Sequence, residues 1–249
     1  MTSEPSSGSA QQADGFASTR WSLVLQARGD RASPEVQEAL SRLCSAYWYP
    51  LYAFIRRRGH GADDAEDLTQ EFLANLLQRK ALSTADRGRG RFRTFLLACC
   101  QHFLSNQRDR ERAHKRGGGR PILSLDFSAA AERYRAEPAH SETPERLFDR
   151  RWAMIVLEHA LEQVEKEYEA AGKGPLFDSL KAALVGSPAA LPYARIGAEL
   201  QMSEDAVRKA AQRLRARFRI ALRAHVADTV GDKASVDDEI RDLFVALAS

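Results

Sequence analysis

The sequence predicts an all-α fold: two helical domains joined by a partly extended linker, the second of them a helix-turn-helix domain. Three observations predict it. Apolar residues recur at steps of three and four from Trp21 to about Arg116 and again beyond Pro144, with little sustained period-two alternation. Gly117-Gly118-Gly119, followed by Pro121, Pro138 and Pro144, interrupts that pattern. Between Tyr193 and Arg217 two helical patterns flank the turn Gln201-Met202-Ser203, and the second is strongly basic.

Residues 1–19 are rich in Ser, Ala, Gln and Gly and read as a flexible tail without the apolar segment of a secretory signal. In the first domain, 20–116, a stripe runs through Leu40, Leu43, Cys44, Tyr47, Leu51, Phe54 and Ile55, with Pro50 expected to kink or divide it. A second stripe is Ala65, Leu68, Phe72 and Leu76, opened by Asp63 and Asp64, which suit the unpaired N–H groups of a helix start. A glycine-punctuated basic loop, Asp86 to Arg91, leads to a third stripe of Phe92, Phe95, Leu96, Cys99 and Phe103.

The linker covers 117–145, and within it Ile122 to Phe127 is expected as an extended piece laid on a surface. The second domain, 146–224, follows Pro144, well placed in a first helical turn after Thr143. Its stripes are Trp152, Ile155, Val156, His159, Ala160 and Val164, then Leu176, Phe177, Leu180, Ala183 and Leu184 after the break at 172–175. Gly186-Ser187-Pro188 ends that helix, and Pro192 opens the next, with Tyr193, Ile196 and Leu200 inward. A C-terminal extension, 225–249, offers Ser235 as a cap and Ile240, Leu243, Phe244 and Leu247 as an apolar stripe. Packing on the second domain is the simplest expectation for it; a partner surface or an autoinhibitory element is the alternative.

The net charge of +3 conceals strong segregation. Residues 87–120 hold ten Lys/Arg against two Asp/Glu, residues 204–223 seven against two, and residues 62–71 five acids with no base. Such blocks create local potentials that a net figure hides. Cys44, Cys99 and Cys100 form neither a disulfide framework nor a paired zinc spacing, which points to buried thiols in a reducing compartment. No apolar window approaches the ~18 residues of a membrane span. The expectation is a cytoplasmic monomer with no cofactor, no metal and no membrane partner.

Three surfaces are candidates for binding. The acidic helix face at Asp64, Asp67, Gln70 and Glu71 suits docking on another protein. Arg91, Arg93, His102, Asn106, Arg108, Arg110, Arg112, Lys115 and Arg116 form a basic set beside aromatic rings, suited to phosphates and to bases of an opened strand. Ser203 is an N-cap. Beyond it Asp205, Arg208, Lys209 and Gln212 share the face opposite the apolar stripe of Val207, Ala210, Leu214 and Phe218. With Arg213 they suit base edges and phosphates of a duplex. Four carboxylates at Asp63, Asp64, Glu66 and Asp67 are a poor magnesium site, because one helix does not aim them all one way, and no catalytic constellation appears. Thr69 beside them is read as solvated; phosphorylation there would add charge to the docking face.

At these residues the chain resembles bacterial RNA polymerase sigma factors of the extracytoplasmic-function type. Asp64-Ala65-Glu66-Asp67-Leu68-Thr69-Gln70-Glu71 reproduces the family motif that docks the β′ clamp helices of core polymerase. Phe92-Arg93-Thr94-Phe95-Leu96 matches the run associated with melting the −10 element. Pro192 to Leu200 and Ser203 to Arg208 resemble the domain that reads the −35 element. The resemblance covers about 20–116 and 150–224. It implies core RNA polymerase (β′ clamp helices and β flap) and promoter DNA as partners, with an anti-sigma factor or a regulatory kinase as further candidates. A stand-alone helix-turn-helix regulator is the alternative. Phe95 stands where Trp is common, and His102 and Asn106 replace a frequent Asn and Asp. Residues 172–191 are extra, and the linker is longer than usual.

Overall fold

The computed structural model of the protein describes residues 33–78, 91–113, 127, 130–136, 142–184, 191–227, 229–230 and 235–248. Expectations for the N-terminal tail, the loop 86–90, Gly117-Gly118-Gly119, the piece 122–126 and the break at 186–188 lie outside these residues. Among the described residues 87% are helical and none is in a strand, so the architecture is all-α.

Helix α1, Pro34–Arg57, begins with proline, whose missing N–H is no loss in a first turn, and ends on Arg56 and Arg57, which complement the helix dipole. It runs unbroken through Pro50, so of the expected kink or division, the division does not occur. An interior proline costs a helix about 3 kcal/mol. Tyr47, Tyr49, Leu51, Tyr52, Phe54 and Ile55 around it are all buried, and each such side chain contributes roughly 1.5–3 kcal/mol. Packing outweighs the proline.

Helix α2, Ala62–Gln78, buries Ala65, Thr69, Phe72, Leu73 and Leu76. In α3, Phe92–Ala113, the deepest residues are Phe92, Leu96, Cys100 and Leu104, while Phe95, Cys99 and Phe103 are half-buried beside them. The stripe is thus turned by one residue from the expected one. Burial pushes the thiols of Cys44 and Cys100 up to about 12 and raises that of Cys99, which leaves all three poor nucleophiles.

The linker contains a short helix that the sequence pattern did not predict: α4, Ala130–Arg135. Phe127 is buried edge-on against Trp48 at 4.9 Å. Tyr134 meets Tyr52 edge-on and lies under the Arg56 guanidinium at 4.8 Å. Aromatic contacts therefore strap this segment to α1.

Helix α5, Pro144–Ala170, is capped by the Thr143 hydroxyl, which accepts from the Arg146 amide at 3.2 Å. Its stripe of Leu147, Phe148, Trp152, Ala153, Val156, Ala160 and Val164 is buried. It packs on α1 and also on the helices that follow it. Those it meets are α6 (Gly174–Leu184), α8 (Glu204–Ala227) and α9 (Ser235–Ala248), while α7 (Tyr193–Glu199) packs on α8. Gly172, at φ +68°, makes the left-handed turn between α5 and α6. Helices on both sides of the linker share one continuous apolar core.

Helices α7 and α8 meet across the turn 200–203. The Ser203 hydroxyl accepts from the Ala206 amide at 3.2 Å, as expected of an N-cap. Gly197 is buried where a Cβ would stand 2.6 Å from the Met202 carbonyl oxygen, so only glycine lets the two backbones approach. Gly197→Ala is expected to destabilise the fold by about 1–3 kcal/mol in urea unfolding, because rigid backbone must move.

Candidate protein and nucleic-acid interfaces

The acidic face belongs to α2. At ~100° per residue Asp64, Asp67 and Glu71 fall within an arc of about 60°, opposite the buried stripe. All three are exposed, and Gln70 lies half-buried on their flank. Glu71 accepts from the Gln107 side chain of α3 at 2.5 Å, which fixes one end of the ridge. Glu66 is half-buried; burial, then Asp63 and Asp67, raise its carboxyl above its ordinary value. Thr69 is not solvated: it is fully buried and donates to the Ala65 carbonyl at 2.6 Å. A phosphate there would require α2 to leave the core.

The basic set divides. His102 and Asn106 are exposed on α3. Arg108, Arg110 and Arg112 continue the helix backbone, with the expectations for their side chains outside the described structure; Lys115 and Arg116 lie outside the described residues altogether. Arg91 and Arg93, expected at the surface, are instead engaged by other helices. Arg93 is 6% exposed. Its Nε and Nη2 donate to the two Glu239 oxygens of α9 at 2.8 and 3.1 Å. Its Nη1 meets Asp149 of α5, and its guanidinium lies 4.5 Å over the Trp152 ring. Arg91 pairs with Glu239 at 2.6 Å and with Asp242. Burial alone would lower the Arg93 guanidinium, but its bonds to Glu239 and the charge of Asp149 carry it above its ordinary value.

Sequence reasoning missed Glu239, Asp242 and Asp149. The acids at 237–239 and 242 were visible beside a basic partner, but which arginine they meet is a matter of tertiary packing. The extension does pack on α5 and α8, burying Val236 and Leu243, and it also reaches α3.

On α8 the expected residues gather. Ser203, Asp205, Arg208, Lys209, Gln212 and Arg213 are all exposed, and Asp205, Arg208, Lys209 and Gln212 fall within roughly 100° of arc. Arg208 donates to Glu204 at 2.8 Å and Lys209 to Asp205 at 2.9 Å, pairs within one helix that hold the cations near the surface. Further along, Arg215 donates to the Tyr193 hydroxyl at 3.1 Å and Arg217 pairs with Glu167 of α5 at 2.7 Å.

Residues 43–113, which carry the acidic ridge and α3, match the protein family described as Sigma-70 region 2. The match supports a sigma factor, a non-enzymatic transcription initiation factor that binds RNA polymerase and contacts promoter DNA. No curated protein and no solved structure matches the chain. Among the described residues no helix is long and apolar enough to cross a membrane.

The two kinds of arginine differ in energetic role. Removing one member of a buried pair strands its partner at roughly 3–5 kcal/mol, whereas exposed helix pairs are worth about 0.3–0.5 kcal/mol. Arg93→Ala is therefore expected to lower unfolding free energy by about 3–5 kcal/mol and Arg208→Ala by under about 1 kcal/mol, both measured by denaturant titration.

Proposed function

We propose that the protein is a promoter-specificity subunit of the extracytoplasmic-function type, with α2 docking on the β′ clamp helices of core polymerase. On this reading α3 meets the opened −10 element, the β flap is a further polymerase contact, and α7–α8 is a helix-turn-helix reading the −35 duplex. The observation that carries it is the ridge of Asp64, Asp67 and Glu71, exposed on a helix whose opposite face is buried, inside the segment that matches Sigma-70 region 2. These carboxylates face solvent, where a partner can reach them. The exposed Arg208, Lys209, Gln212 and Arg213 support the upstream assignment, with Asp205 and Ser203 setting the helix start.

Asp64→Lys with Asp67→Lys is expected to abolish co-elution with core polymerase while circular dichroism and melting stay nearly unchanged. Retained co-elution would sink the docking assignment, and an unfolded product would make these carboxylates structural. Arg208→Ala with Lys209→Ala is expected to weaken upstream-duplex binding by about 10-fold or more and to flatten its salt dependence by about one to two ions. Anisotropy titrations over a salt series measure both. Tight promoter binding by the chain alone, with no gain from core polymerase, would favour a stand-alone regulator instead.

A further inference from the structure

Resting on the reading of α3 as the helix that meets opened promoter DNA, we propose that α9 is an autoinhibitory clasp: its carboxylates occupy Arg91 and Arg93 in place of nucleic-acid phosphates.

The geometry at the start of α3 points to it. Glu239 is wholly buried, and both its oxygens are taken by the two guanidinium groups. A fork of parallel N–H donors on two oxygens is also how arginine holds phosphate, so carboxylate and phosphate compete for one arrangement. Asp242, one turn along α9, takes the remaining edge of Arg91. The Phe92 amide, at the α3 N-terminus, reaches the Thr229 carbonyl at 3.5 Å, so the segment before α9 meets the same helix start.

The clasp is built to open. Helix α9 has 14 residues, a length at which an isolated helix is marginal in water. Its buried apolar anchorage is Val236 and Leu243, with Ile240, Ala246 and Leu247 half-buried and Asp237 paired with Arg223 of α8, while Phe244 and Val245 are 52% and 59% exposed. A cleft of about 320 Å³ lined by Arg91, Arg93, Arg146, Asp149 and Asp242 opens beside the pairs. Arg91 keeps 30% of its side chain exposed there, and Asp242 45%. An entering phosphate thus meets the Arg91–Asp242 contact before the buried Glu239 pair.

The test uses the full chain. Asp242→Asn and Glu239→Gln/Asp242→Asn are compared with Asp238→Asn, which removes the same charge from the same helix at a residue paired with Arg241 rather than with α3. Anisotropy of a fluorescent single-stranded deoxyoligonucleotide is expected to give about tenfold tighter binding for the double variant and an intermediate gain for Asp242→Asn. Asp238→Asn is expected to bind like the parent, and adding Arg91→Ala to Asp242→Asn should abolish its gain. Unchanged affinity in folded variants, an equal gain from Asp238→Asn, or a gain that survives Arg91→Ala would overturn the clasp. Asp242 is partly exposed, so its single variant keeps the question answerable if the double variant unfolds. Co-elution with core polymerase is measured in parallel. Retained co-elution without a DNA gain sinks the clasp alone; a DNA gain without co-elution in parent or variant sinks the sigma reading and leaves the masking of these arginines standing.

Discussion

Burial of the α5 stripe is the constraint on which the rest depends. Leu147, Phe148, Trp152, Ala153, Val156, Ala160 and Val164 give one long helix an apolar face that no single neighbour covers. Near its start Arg151 lies over the Tyr49 ring of α1; near its end Glu167 holds Arg217 of α8 and Tyr168 meets Phe177 of α6. The acidic ridge, the start of α3 and the exposed face of α8 all take their positions from elements packed, directly or through α1, on this strut.

The same packing explains why like-charged residues have unlike roles. Arg91 and Arg93 stand at the junction of α3, α5 and α9, where low polarity makes an unpaired guanidinium costly, so acids from two helices converge on it. Arg208 and Lys209 stand in water, where pairing with Glu204 and Asp205 is weak and readily exchanged for another anion. Composition counts both sets alike; burial separates them.

What was legible in the sequence follows from range. Periodicity, the Thr143 and Ser203 caps and the break at Gly172 are local matters, and the helices, turns and exposed faces of α2 and α8 were readable from them. Pro50, expected to kink or divide its run, does not divide it, because its local cost is real but smaller than the burial around it. Thr69 misled because its hydroxyl was taken as solvated, although Ala65, Phe72, Leu73 and Leu76 at helical spacing set it on the buried face, where the hydroxyl returns to the Ala65 carbonyl. Glu239 on Arg93, and Phe127 on Trp48, join residues far apart in the chain, which no pattern along one strip of sequence encodes.

The aromatic strap has a mechanical consequence. While Phe127 and Tyr134 stay seated on α1, the leash between the two halves runs only from Ala136 to Pro144. At 3.3–3.6 Å per residue that leash reaches at most about 26–29 Å. The ring contacts on α1 therefore act beside the α1–α5 packing, holding the chain that joins the two halves to a short reach even if that packing were loosened.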